Sequence, residues 1–511
     1  MNKFRALSSI KKLTGQTLIY GVPTILGRFL NVFLTFGLTY LFNTTAQFGD
    51  YAVAYAYVTF LNVIFTYGME TAYFRFSQSD EYRKDVYPTA LSSLLGSTLL
   101  LSSLMILFSQ PMADLWRMSE HPEYVVWFAF IIGFDAICTI PFARLRQEGK
   151  AMKFSMIKFC NILIQVCSTL FFVGLCPWLE KHHPGHFLLF LYNPSISAVG
   201  YAFLSNLVAS TATLLMLYKE FGSYNFKFNK RLWKDMMIYS LPLVIVGLAG
   251  MVNETLDRAL LDHLLPYSVD KNKAIIGIYS ACYKIAALIN IFIQVFRMGA
   301  EPFFFNESNK SSAQQVYANV MYFFTIVCMA IFLVVVLFAD TVWTRYLVDS
   351  AHHPEYLEGL IVIPILAFGY VCLGIYYNLT IWYKLTNKTL IGSFVTILGA
   401  VITVGMNIWL IPKIGFLGSA WATMVCYLVM MVATYFLGQK YYHVPYDIKA
   451  ILSYIFLGLV IFSIYWWGVR RVPSDFVKLS CALLGVFIYV IWVWIKERRR
   501  LVGIFRRNAG S

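Results

Sequence analysis

The sequence predicts an all-α polytopic membrane protein with about fourteen transmembrane helices. Two six-helix parallel repeats, an N-lobe and a C-lobe, are followed by two C-terminal helices. Three observations predict this fold class: a composition too apolar for a water-facing surface, apolar runs of spanning length from end to end, and short motifs that recur six spans apart.

Hydrophobic residues fill 59% of the 511 positions, and Asp, Glu, Lys and Arg together only 13%. A soluble domain carries roughly a quarter charged residues. Lipid accepts apolar side chains on the outside of a protein, which water does not. The formal charge of +15 does not imply nucleic acid as a partner, because the basic residues form short clusters between apolar runs rather than one patch. Most of the nine cysteines, Cys138 and Cys282 among them, fall inside apolar runs without CxxC spacing, as small buried hydrophobes do. The basic segment Met1 to Lys12 precedes an apolar run with no small-residue cleavage site, so that run is expected to be a retained helix.

The expected spans are 15–42, 50–74, 87–109, 123–145, 153–176, 198–218, 236–262, 275–303, 316–338, 357–382, 390–411, 416–437, 450–468 and 477–495. An even number puts both termini on one side. Alternate loops concentrate Lys and Arg: Lys3 to Lys12, Arg83 and Lys84, Arg144 to Lys153, Lys219 to Lys234, and the tail from Lys496 to Arg507. That side is cytoplasmic by the positive-inside rule. The loop with Arg470, Arg471 and Lys478 violates the rule. The longest connection, roughly Pro177 to Ala198, is too short for a soluble catalytic domain.

The repeat is written in four matches. Asp114-Leu-Trp116 followed by His121-Pro122-Glu123-Tyr124 returns as Asp340-Thr-Val-Trp343 followed by His353-Pro354-Glu355-Tyr356. Ile19-Tyr20 with Pro23 returns as Ile238-Tyr239 with Pro242. Glu70 near the end of span two corresponds to Glu301 at the end of span eight, and Arg146 and Lys150 to Lys384 and Lys388. The expected division is therefore an N-lobe over 1–220, a C-lobe over 221–440, and the final helices with a basic tail over 441–511. Transporters commonly rock two such bundles about a central site.

Polar residues keep helical register inside several spans. Span one carries Gly21, Thr24, Arg28, Asn31, Thr35 and Thr39 on one face, and span two carries Tyr55, Thr59, Asn62, Thr66 and Glu70. Span eight aligns Tyr283, Asn290, Gln294, Arg297 and Glu301, with Lys284 alongside. Span five shows Lys158, Asn161 and Gln165, and span seven Asn253, Glu254, Asp257 and Arg258. Ionisable groups are costly in lipid and normally face the bundle interior or a wet cavity. For Glu254 and Arg258, an i,i+4 ion pair within the helix is an equal reading. Arg28, Lys284 and Arg297 have fewer obvious acidic partners, and an anion-binding cavity for a phosphate or diphosphate suits them better. Asp135, mid-span in span four, is either a cation or proton site or the partner of a buried base, and the second reading is favoured.

These features resemble the multidrug/oligosaccharidyl-lipid/polysaccharide exporter superfamily, and its polysaccharide transporter branch most closely. The motifs that carry the resemblance are Ile278-Tyr-Ser-Ala-Cys-Tyr-Lys284, Phe296-Arg-Met-Gly-Ala-Glu-Pro302-Phe-Phe-Phe305, Asp257-Arg258 and Ile140-Pro-Phe-Ala-Arg-Leu-Arg146. The resemblance implies a flippase for an undecaprenyl-diphosphate-linked oligosaccharide in a bacterial inner membrane, working by alternating access. It places the phosphate on Arg28, Arg258, Lys284 and Arg297, with Asn31, Asn62, Asn290 and Gln294 bonding to sugar or phosphate. It also implies coupling to a proton or sodium gradient, with Asp135, Glu254, Asp257, Glu70 and Glu301 as the acids that either couple ions or hold structure.

No cofactor or metal is expected, and no GxxxxGK[ST] loop for ATP occurs. The expected partners are the lipid-linked oligosaccharide, the bilayer and other glycan-assembly proteins. A peptidoglycan-precursor flippase and a multidrug antiporter share the fold, although deep cations outnumber acids against the latter. A membrane glycosyltransferase or polymerase is the remaining alternative. Its only local support, His182, His183 and His186 beside Glu180, fits a surface cluster better.

Overall fold

A computed structural model describes residues 26–27, 29–222, 227–308 and 313–509, and every element in it is helical. The first expected span is described over α1 (Phe29–Leu41), and Arg28 lies outside the described residues. There follow α2 (Thr45–Thr66), α3 (Met69–Phe76), α4 (Val86–Leu107), α5 (Ser109–Leu115), α6 (Pro122–Gln147), α7 (Ala151–Thr169), α8 (Cys176–His182), α9 (Ala198–Met216) and α10 (Tyr218–Phe221). Next come α11 (Lys230–Leu264), α12 (Val269–Ala286), α13 (Leu288–Glu307), α14 (Ala313–Leu337), α15 (Thr344–Tyr346), α16 (Val362–Leu379) and α17 (Ile381–Leu385). The chain ends with α18 (Thr389–Ile414), α19 (Phe416–Tyr441), α20 (Ile448–Ile464) and α21 (Asp475–Ala509). Among the described residues, 13 helical segments are long and apolar enough to cross a membrane, and α1 adds a shorter apolar helix.

Some expected spans are interrupted. Span two breaks where Tyr67 and Gly68 both take positive φ, at 31° and 69°. The left-handed pair caps α2 through the Tyr67 N–H, which donates to the Val63 carbonyl at 2.9 Å, and restarts the chain as α3. Span eight divides at Ala287, between α12 and α13. Span five runs past its expected end: a π-turn over Leu170–Leu175 leads directly into α8, and the helical run continues through Pro177 to His182. Two further π-turns, Ala339–Trp343 and Tyr465–Val469, likewise follow long apolar helices.

Contacts divide the chain into two compact units, 1–280 and 281–511. In the first, α6 packs against α4 and α9, α7 against α9, and α11 against α2. In the second, α16 packs against α19 and α14, α18 against α19, and α20 and α21 against α14. The most buried spans of the two units are those opened by the repeated His-Pro-Glu-Tyr segments, over Pro122–Gln147 and Pro354–Leu385. His121 and His353 adopt nearly the same backbone angles, φ −129° and −125°, and each precedes a proline at the first helical turn. Tyr124 and Tyr356 are both buried behind them. The repeated words are thus helix starts: proline presets the turn, and tyrosine anchors the core helix.

In the first unit α2 and α12 cross with no side chain between their backbones. A Cβ on Gly49 would overlap the Lys273 carbonyl, and one on Gly277 would overlap the Thr45 carbonyl. Beside this crossing Lys273, 2% exposed, donates to the Trp116 carbonyl at 2.9 Å and lies 3.0 Å from Asp262 and 3.5 Å from Asp50.

The basic loop that breaks the charge rule is matched by acids. Arg345 Nη1 donates to Asp475 at 2.6 Å, Lys478 lies 3.8 Å from Asp340, and Arg470 covers the ring of Trp466 at 3.9 Å.

Candidate functional site

The polar residues of the first unit converge on a cavity of about 380 Å³ lined from α2, α3, α6, α7 and α9. Asn62 and Glu70 reach it from span two, Asp135 from α6, and Lys158 and Asn161 from α7. Helical spacing explains part of the convergence: Asn62 and Thr66 share one face of α2, as Lys158 and Asn161 do on α7, while Glu70 reaches the cavity from α3 after the break. Ser210 on α9 donates to Asp135 at 2.9 Å, and Asn161 donates to Thr213 at 2.9 Å. Lys158 turns its ammonium over the ring of Phe142 at 4.3 Å. Such a site, holding two carboxylates, one ammonium and several amides in a polar pocket, can bind an ion or a polar group.

Several charged residues at and after the end of α6 are paired. Arg146 on α6 is ion-paired with Glu70 and lies over Phe74 at 4.9 Å. Arg144 bonds to Glu148 at 2.7 Å, and Lys150 reaches the same carboxylate at 2.7 Å. Burial alone would raise the Glu148 carboxyl. The hydrogen bonds and charges of Lys150 and Arg144 outweigh it and hold the group below its ordinary value.

On α11 the buried Arg258 donates to Asp257 at 2.9 Å and to the backbone carbonyl of Glu254 at 3.0 Å. Tyr279 completes the cluster with a 2.6 Å hydrogen bond to the other oxygen of Asp257. Arg258 thus pairs with its sequence neighbour Asp257 and also bonds to the main chain of Glu254. Adjacent residues rarely meet on a helix, and here the guanidinium folds back along its own turn.

In the second unit α13 carries Asn290, Gln294, Arg297 and Glu301 in unbroken helical register, while Tyr283 and Lys284 stand on α12 before the break at Ala287. Asn290 is buried, and Gln294, Arg297 and Lys284 are half-buried. The Arg297 guanidinium stacks over the ring of Tyr377 on α16 at 3.9 Å. One turn on, Glu301 is ion-paired with Lys384 of α17. Arg297, Glu301, Asn378 and Lys384 line one cavity of only about 20 Å³, room for a water and no more. Asn31 is exposed on α1, and its carbonyl accepts from Thr35 at 2.8 Å. His182 stacks on Trp178, His186 caps a short turn, and no group of three metal-ligating side chains occurs among the described residues.

Lys273 with Asp50 and Asp262 was not singled out in the sequence, nor was Glu497, which accepts from Tyr322 and Tyr454 at 2.5 Å each. These residues belong to helix ends and loops by their local sequence, so polarity alone did not mark them as buried.

Helical segments of spanning length with polar residues gathered between them define a multi-pass membrane protein. Residues 17–306, more than half of the chain, match the family model described as Polysaccharide biosynthesis protein, and the chain belongs to that family. The fold is similar to those of solved membrane transporters, one of them described as a MATE family transporter of the MOP superfamily. The lipid II flippase MurJ in an inward closed conformation superposes with a TM-score of 0.73 at 13% identity, over 95% of this chain and 100% of that one. An inward-facing multidrug resistance MATE transporter gives 0.61 at 13% identity, over 86% of this chain and 99% of that one. A eukaryotic MATE transporter gives 0.55 at 13% identity, over 86% and 98% of the two chains. No curated protein matches the sequence.

Proposed function

We propose that this protein is a flippase that carries a polyprenyl-diphosphate-linked oligosaccharide, an O-antigen, capsule or exopolysaccharide unit, across a bacterial inner membrane by alternating access. The observation that carries the reading is Arg297: a forked cation on an apolar span, stacked on Tyr377 and aligned with Gln294 and Asn290. Guanidinium matches a diphosphate bidentately, and the amides along the same face suit hydroxyls. Arg28, Lys284, Asn31 and Asn62 are assigned to the same substrate. For Arg258, the bond to Asp257 supports a structural role as well. The ion pairs of Glu70, Glu301 and Asp257 support structural roles for these acids. Asp135, bonded to a hydroxyl within a polar cavity, is the acid best placed to couple transport to a proton or sodium ion. Both termini are assigned to the cytoplasm.

Purified protein in liposomes with fluorescent undecaprenyl-diphosphate glycan provides the test. Translocation without covalent change, reduced about 10- to 100-fold by Arg297→Ala, is expected for loss of one charged hydrogen-bonding group. Equal transport by Arg297→Ala would sink the reading. The similarity to MurJ favours one competing cargo, the peptidoglycan precursor, and faster movement of lipid II than of the glycan-loaded carrier would select it.

A further inference from the structure

The outer wall of the first unit holds a groove of about 660 Å³ between α4 and α6 that the proposed transport does not use. Small residues create it. Gly133 lets α6 approach α4 so closely that a Cβ there would press on Ser102 Oγ at 3.0 Å, and Ser102 donates to the Ala129 carbonyl at 3.0 Å. Nearer the basic face the helices part, and a Cβ on Gly96 would meet nothing within 4 Å. Leu95, Leu99, Phe130, Phe134 and Ile137 line the opening, and Leu99 is 72% exposed at its lip. The nearby Ser92 hydroxyl donates to the Pro88 carbonyl at 2.7 Å, so the wall offers a ligand little but hydrocarbon.

Phe228 closes the end of the groove on the basic face. Its segment is stapled to the start of α4: the Asn229 N–H donates to Thr89 at 3.2 Å, the Asn229 side chain to Asp85 at 3.4 Å, and the Trp233 indole to Ser93 at 2.8 Å. This holds the exposed Lys227, Lys230 and Arg231 at the mouth, on the same face as Arg83 and Lys84, with Asp80, Glu81, Asp85 and Asp235 as the nearby acids in the sequence. An apolar slot of small-molecule size inside the bilayer ends in a cationic rim at the headgroup level. That is the shape and charge of one lipid: a hydrocarbon chain below and an anion above.

We propose that the α4–α6 groove is a binding site for an anionic phospholipid, with one acyl chain lying over Gly96 and the headgroup phosphate on Lys227, Lys230 and Arg231. The site is distinct from the polar cavity of the same unit and from the Arg297 stripe. It makes the first unit sensitive to the charge of the leaflet on its basic face.

The test uses the full chain in phosphatidylcholine nanodiscs doped with spin-labelled phosphatidylglycerol, reading the motionally restricted lipid fraction. A saturable site that prefers phosphatidylglycerol to labelled phosphatidylcholine is expected. Gly96→Trp, whose indole fills the open slot, should weaken it by about tenfold, while Gly96→Ala leaves it unchanged. Lys227→Gln, Lys230→Gln, Arg231→Gln together should abolish the preference for the anionic headgroup. A wild-type readout guards against misfolded variants: phosphatidylglycerol brominated on its acyl chain should quench more fluorescence in the unsubstituted protein than in Trp233→Phe. Unchanged binding by Gly96→Trp, absence of a headgroup preference, or equal quenching with and without Trp233 would each overturn the proposal. So would displacement of the phospholipid by undecaprenyl phosphate at equal mole fraction, which would assign the groove to the carrier lipid's tail.

Discussion

Glu301 on α13 is ion-paired with Lys384 on α17, and Glu70 on α3 is ion-paired with Arg146 on α6. The two pairs occupy equivalent places in the repeat, joining span two to four in one half and span eight to ten in the other. One pair uses Arg and the other Lys, so the charge pairing is common to the two matched positions where the residue identity is not.

These pairs are about a third exposed, so solvent screens them. Glu301→Lys alone should lower thermal stability in detergent by about 1 kcal/mol or less, and the double reversal Glu301→Lys, Lys384→Glu should restore most of it. The same cycle at Glu70 and Arg146 should behave alike. Additive losses in the double variants would mean that the charges do not interact.

Lys273 is a different case, because both it and Asp262 are almost fully buried. Lys273→Met leaves Asp262 and Asp50 without their cation and should cost about 3–5 kcal/mol. Adding Asp262→Asn should recover part of that loss, measured as the shift in unfolding midpoint. No recovery would assign the cost to packing around Trp116 instead.

Glu497 fastens the last two helices by accepting from Tyr454 on α20 and Tyr322 on α14. Glu497→Ala should cost about 1–3 kcal/mol, the range for leaving buried hydroxyls without an acceptor. Protease accessibility of the loop between α20 and α21 should rise with it. Glu497→Gln, which keeps an acceptor, should lose less.

The Glu148 carboxyl lies below its ordinary value of 4.5 in the folded protein. A depressed acid contributes stability that is complete above the unfolded value and fades as pH falls through the folded one. Unfolding midpoints should therefore decline below about pH 4.5 and Glu148→Gln should flatten part of that decline. An identical slope in the variant would remove Glu148 from the acid response.

The fold was largely legible because a membrane makes its demands in bulk. Apolar length, basic loops and the paired His-Pro-Glu-Tyr segments each mark helices without reference to tertiary contacts. Helix breaks were not legible at Tyr67 and Ala287, since neither residue type forbids a helix and the interruption is set by what packs around it. The charged clusters divide the same way. Register along one helix identified Asn290, Gln294, Arg297 and Glu301 as neighbours. Lys273, Asp50 and Asp262 meet from three separate segments, and no periodicity connects them. The Arg258–Asp257 pair escaped for the opposite reason: the spacing rule looks one turn away, and Asp257 is the adjacent residue.

The bare crossing of α2 and α12 has a genetic consequence. Most helix contacts tolerate a range of volumes, because a side chain can turn aside. At Gly49 and Gly277 the obstacle is a main-chain carbonyl of the other helix, which has no rotamer to offer. Even alanine there forces one helix to take a different path. A library covering every substitution should find these two positions silent to nothing but glycine, in a chain where lipid-facing neighbours exchange freely.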